Sequence, residues 1–143
     1  MDKETSARRA LERYEGLAEA SIVPLQGGLI NQTFRVDGAS DRFVLQRVNA
    51  IFDPRIHDNI EAVTACLEAH GWLTPKLVRA RDGECFVTQA DGQVWRLMTY
   101  IDGVGHARVE RTEQAAEAGR LVGRFHTAVD ALEHEFVGCR VGV

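Results

Sequence analysis

At 143 residues the chain has the size of one ordinary domain, long enough to bury a core. Hydrophobic residues make up 45% and charged residues 27%, a globular composition, and a net charge of −4 with no basic face argues against nucleic acid as a partner. The three cysteines, Cys66, Cys85 and Cys139, have neither disulfide-framework nor zinc spacing, and no apolar run approaches the ~20 residues a membrane span needs.

The charged start lacks the apolar stretch of a secretory signal, so a cytosolic location with reduced thiols is expected. From about Thr5 to Ala20 the pattern predicts a helix with Leu11, Tyr14 and Leu17 on one stripe, packing on the next unit. Ser21 to Gln26 reads as a short strand ending at Gly27-Gly28, and Gln32 to Val36 as its partner. After the polar turn Asp37–Asp41, Phe43 to Val48 makes a third strand, completing an antiparallel meander.

Pro54 suits the first turn of a second helix, whose Ile56, Ile60, Val63 and Leu67 recur at helical spacing up to a stop at Gly71. Three shorter strand segments follow, Lys76 to Ala80, Glu84 to Thr88 and Val94 to Ile101, with turns at Arg81-Asp82-Gly83 and Asp91-Gly92. Asp102-Gly103-Val104-Gly105 breaks the pattern. Ala118, Leu121, Val122, Phe125, Val129 and Leu132 then predict a long helix over about Thr112 to Leu132. The expected fold is α+β: an antiparallel sheet of five strands with one packed helix, then a glycine break and a long helix.

Four places carry potential chemistry. Gly27-Gly28-Leu29-Ile30-Asn31 is a turn whose glycines let backbone N–H groups approach phosphate oxygens, with Asn31 able to bond across the loop; taken alone, a glycine pair reads rather as a plain hairpin turn. Arg47 shares a strand face with Phe43 and Leu45 and would lie beneath that turn, or else be a solvated arginine on a half-exposed sheet. Glu61 and Asn59 flank the second helix's stripe, and either is placed to reach Arg47. The strand Trp95–Ile101 running into Asp102-Gly103 offers backbone groups to a planar ring at a domain junction, or is simply a buried strand and a loop.

In order along the chain, Gly27–Phe34, Phe43–Asn49, Asn59–Thr64 and Val94–Leu97 resemble the aminoglycoside phosphotransferase superfamily, most of all its N-acetylhexosamine 1-kinase branch, over about Ile22 to Phe125. The resemblance implies the amino-terminal lobe of a protein-kinase-like fold that binds ATP with magnesium and, in the full-length protein, a small-molecule acceptor. It implies Gly27, Gly28 and Asn31 as the phosphate loop, and Arg47 in the place of the family's strand-three lysine. Glu61 would be Arg47's partner, with Asn59 an alternative, and Thr99 and Ile101 would offer hinge C=O and N–H groups to adenine. Arginine for lysine keeps the charge but changes reach and geometry.

Phosphoryl transfer in such a fold needs an aspartate to orient the acceptor, plus an asparagine and an aspartate for magnesium. Here the last asparagine is Asn59, and the one aspartate after Gly103 is Asp130. No catalytic or metal-binding residue can therefore be assigned: His126 reads as a packing or capping residue of its helix, and His106 and His134 lack partners at metal-ligand spacing. The division expected is a lobe over 1–102 and the start of a second lobe over 103–143, in a chain that reads as a fragment of a longer product, inactive alone and prone to self-association through its last helix. The competing reading is a non-catalytic binding module built on the same lobe.

Overall fold

The computed structural model describes residues 2–26 and 30–138. The first helix, α1 (Lys3–Leu11), opens where the Asp2 side chain accepts a hydrogen bond from the Lys3 N–H at 2.7 Å. It ends earlier than the periodicity implied. Past Leu11 the chain tightens into single-turn bonds, Tyr14 N–H to the Leu11 carbonyl at 3.0 Å, and then reverses at Gly16, whose φ is +72°. The apolar stripe survives this change of geometry: Leu11, Tyr14 and Leu17 are all buried.

The meander follows as β1 (Ser21–Leu25), β2 (Gln32–Asp37) and β3 (Arg42–Val48). Next come α2 (Ile56–Ala69), the two-residue strands β4 (Leu77–Val78) and β5 (Val87–Thr88), β6 (Val94–Thr99) and α3 (Thr112–Val129). The sheet is antiparallel throughout, in the order β1-β2-β3-β6-β4, with β5 also pairing β6. It therefore has six strands rather than the five expected. The turn at Arg81–Gly83 divides the strip along β6 in two, so β4 pairs with Leu97 and Met98 while β5 pairs with Val94 and Trp95. Gly83 holds φ +85° at that turn, a conformation that side chains with a Cβ avoid.

Alternation along each strand sorts the sheet into two faces. Phe34 and Val36 of β2, Leu45 of β3, and Trp95 and Leu97 of β6 form one buried set. Ala7, Ala10, Leu11 and Tyr14 of the first helix and its extension pack into the same cluster. The main core thus lies between α1 and the sheet. On the opposite side α2 approaches through its first turns: His57 is fully buried and stacks on Phe86, ring centroids 4.8 Å apart. Leu67 is buried, but Ile60 and Val63 stay partly open and line a shallow apolar depression with Thr74.

The long final helix packs by one edge only. Ala128 is its buried residue, the Cys66 thiol donates to the Ala128 carbonyl, and the Arg124 guanidinium sits over the Trp72 ring. Its apolar stripe faces outward, Leu121 and Val122 each 54% exposed.

Candidate functional site

The turn between β1 and β2 is anchored from below. Asn31 Oδ1 accepts from the Asn49 backbone N–H at 3.0 Å, and Asn49 Nδ2 donates to the Ile30 carbonyl at 3.3 Å. This reciprocal clasp ties the base of the turn to the end of β3. Asn31 therefore bonds to the end of β3, with Asn49 as its partner, and not across its own loop. Gly27 and Gly28 lie outside the described residues.

Two registered rows cross the face opposite α1. Leu25, Thr33, Gln46 and Arg96 are partners in succession across β1, β2, β3 and β6, and this row is the nearer to the turn. One step further from the turn, Val23, Arg35, Val44 and Met98 form a second row. The rows stand two residues apart along each strand, ~7 Å. The near row is polar and bonded side chain to side chain. Arg96 Nε and Nη2 donate to Gln46 Oε1 at 3.0 and 2.8 Å, and Gln46 Nε2 donates to Thr33 Oγ1 at 3.1 Å. The far row is mostly apolar, and its Arg35 turns aside to Asp37, Nη2 to Oδ2 3.1 Å. Val23 and Leu25 are exposed on this face.

Arg47 sits on the other face. It stands opposite Gln32 and Trp95, and its Nη1 is 3.5 Å from Gln93 Oε1. Its expected pairing with Glu61 is not formed, because the helix that carries Glu61 lies across the opposite side of the sheet. Glu61 forms an ion pair with Arg79 instead. Asn59 is not Arg47's partner either: its amide donates to the Val137 carbonyl at 2.7 Å and its Oδ1 accepts from the Val137 N–H at 3.0 Å. The shared face of Phe43, Leu45 and Arg47 was legible from alternation, but that face belongs to α1. Arg47 instead lines an open depression of about 530 Å³ between the start of α1 at Asp2–Glu4 and the ends of β1 and β2, together with Pro24, Gln32 and Asn31.

The far end of the site is the exit from β6. Thr99 is stitched to the neighbouring edge, its N–H donating to the Lys76 carbonyl and its Oγ1 accepting from the Lys76 N–H, each at 2.9 Å. Ile101 follows outside the strand, and its N–H has no hydrogen-bond partner among the described residues. Arg42 braces this exit through Asp102, Nη2 to Oδ1 2.8 Å, with its guanidinium over the Tyr100 ring.

Burial sets the electrostatics beneath the near row. Desolvation lowers the Arg96 pKa, and desolvation also holds the His57 imidazole below its ordinary value, opposed by a bond from Nδ1 to the Pro54 carbonyl and reinforced by the Arg96 charge. His57 Nε2 is buried without a hydrogen-bond partner among the described residues. The Cys85 thiol is pushed up to about 11 by burial and by the neighbouring Glu61 carboxylate, which makes it a poor nucleophile at neutral pH. Among the described residues no three His, Cys, Asp or Glu side chains gather to hold a metal ion.

Sequence reasoning missed the Thr33–Gln46–Arg96 row. The signal was present: Trp95 and Leu97 alternate with Arg96, so a β6 buried on its apolar side must present Arg96 on the other. What could not be read was which helix takes which face.

Solved structures share this fold. A microcompartment-associated aminopropanol kinase matches with a TM-score of 0.77 at 21% identity, covering 96% of this chain and 44% of that one. An amicoumacin kinase, solved with AMP-PNP, Ca2+ and Ami, gives 0.71 at 16% identity over 95% and 42%. A spectinomycin phosphotransferase, solved with ADP and spectinomycin, gives 0.63 at 12% identity over 94% and 39%. The chain thus spans less than half the length of these kinases, and at such identities the likeness establishes the fold. The model of the phosphotransferase enzyme family matches residues 21–139, from the first strand through the last helix, and by that match the chain belongs to this family.

Proposed function

We propose that the chain is the nucleotide-binding lobe of an ATP-dependent phosphotransferase acting on a sugar or alcohol. The observation that carries this reading is the face between the turn and the β6 exit. An apolar row with exposed Val23 lies toward Ile101, and a polar row with a cation lies toward the turn. A nucleotide has that same polarity, a flat apolar base at one end and phosphates at the other. In this reading the base rests on Val23, Val44 and Met98, with the Thr99 carbonyl and Ile101 N–H at its edge. The phosphates lie toward the connection between β1 and β2, whose sequence carries Gly27, Gly28 and Asn31, with Arg47 near its base and Glu61 bracing the site from α2. Magnesium would enter bound to the nucleotide's phosphates, the usual way this ion reaches such a site. Residues 1–102 form the lobe and residues 103–143 lead into a second one, where the acceptor is recognised.

The kinases described above were solved with AMP-PNP in one case and ADP in another, which supports a nucleotide here. Calorimetric titration of the chain with ATP, ADP and adenosine tests the reading. Saturable binding of all three, tighter for the phosphorylated ligands, is the expected result. No binding of any of them would leave the lobe as a non-catalytic module and remove the proposal. The chain alone, incubated with ATP, magnesium and a panel of sugars, should form no product; turnover of ~1–100 per second would contradict this.

A further inference from the structure

The structure holds two arginines near the turn, and only one of them shares a face with the apolar row. We propose that Arg96, fixed by Gln46 and Thr33 on the open face of the sheet, is the cation that meets a nucleotide's phosphates, rather than Arg47. This inference rests on the nucleotide reading above and assigns its charge to a residue on β6 instead of β3.

The geometry decides between the two. A base seated on Val23, Val44 and Met98 places the rest of the nucleotide one row nearer the turn on the same face. That row is Leu25, Thr33, Gln46 and Arg96. Arg47 lies on the reverse side, in register with Trp95, on the face against which α1 packs. To reach the same phosphate it would have to bend around the end of β3.

Arg96 is also prepared for an anion. It is half-buried and, among the described residues, has no carboxylate within ion-pairing distance; the acid on α2 facing this side, Glu61, is taken by Arg79. A charge removed from water without an opposite charge is costly, and an arriving phosphate relieves that cost. The guanidinium is oriented in advance. Nε and Nη2 both donate to Gln46 Oε1, itself held by Thr33, and Nη1 makes no hydrogen bond to any described residue. Such an arrangement fixes the plane of the fork while leaving donors for a ligand. The lowered affinity of Arg96 for its proton, caused by burial, reports the same desolvation and still leaves the group charged at neutral pH.

The test uses the chain itself with 15N-detected side-chain signals. In the wild-type chain, ATP with magnesium should shift the Arg96 Nε–Hε resonance, whereas adenosine should shift the Val23, Val44 and Met98 amides and leave that resonance in place. Arg96→Met should weaken ATP binding roughly tenfold or more while leaving adenosine affinity unchanged, Arg96→Lys should recover part of the loss, and Arg47→Met should weaken ATP binding clearly less than Arg96→Met does. If ATP moves the open-face amides but not the Arg96 signal, or if Arg47→Met loses ATP and Arg96→Met keeps it, the assignment of Arg96 is overturned while the nucleotide site stands. If neither ATP nor adenosine moves the open face, the nucleotide reading fails and the role of Arg96 falls with it. Because the resonance shift is read on the unmutated protein, the outcome does not depend on whether Arg96→Met folds.

Discussion

The two faces of the same sheet have opposite characters. On one, Phe34, Val36, Leu45, Trp95 and Leu97 are sealed beneath α1 and its extension. On the other, strands of the same composition present Val23, Thr33, Gln46 and Arg96, joined laterally by side-chain hydrogen bonds and covered only in part by α2. The first face stabilises the lobe. The second spends exposed apolar and half-buried charged area that a purely structural sheet would bury or discard. Chains retain such a surface where something binds, and alternation along each strand lets one sheet do both jobs independently.

That independence can be attacked directly. The largest effect should come from the sealed face: Trp95→Ala should cost ~3–5 kcal/mol in urea unfolding, and Leu45→Ala ~2–5 kcal/mol, since both are fully buried. Val23→Ala on the open face should change stability by no more than ~1 kcal/mol yet weaken adenosine and ATP binding equally. Equal stability losses from both faces would dissolve the distinction.

A pH titration sharpens it further. Burial holds the folded-state pKa of His57 below its unfolded value, so the neutral ring is favoured in the native state. The stabilisation is present above ~6.5 and should be lost as the pH falls through that value toward the folded pKa. His57→Phe, which keeps the stack on Phe86, should flatten the stability curve between pH 7 and 5; an unchanged slope would assign the effect to other groups.

The smallest effect should follow Glu61→Gln. Glu61 and Arg79 are both substantially exposed, with side-chain accessibilities of 39% and 56%, so their pairing should contribute at most ~1 kcal/mol. Chemical unfolding measures this, and a loss of several kcal/mol would mean that α2 is held to the sheet chiefly by that pair.

Much of this was legible beforehand, and the failures share one cause. Alternation marked β2 and β3, the turn signals around them bounded the other strands, and Gly71, Gly83 and Gly92 marked stops and turns where the structure has positive φ. Alternation also grouped Leu45 with Arg47 correctly. It could not say which side α1 would take, because the α1 stripe and the α2 stripe are both apolar enough to cover a sheet. The apolar stripe read as the packing face of α2 is in part left open at Ile60 and Val63, while a buried histidine, invisible to a hydrophobic pattern, makes the contact. The Arg47–Glu61 pairing failed for that reason. Asn31 likewise bonds to Asn49 at the end of β3 and not across its own loop, a partner 18 residues away that local turn chemistry does not reveal.

The central claim is that a nucleotide occupies the open face. An amide chemical-shift map of the chain titrated with ATP tests it most directly. We expect the largest changes at Val23, Leu25, Val44, Met98 and Ile101, with the Tyr14 amide and the Trp95 indole unmoved. Changes centred on α1 and Trp95, with the open rows silent, would contradict it.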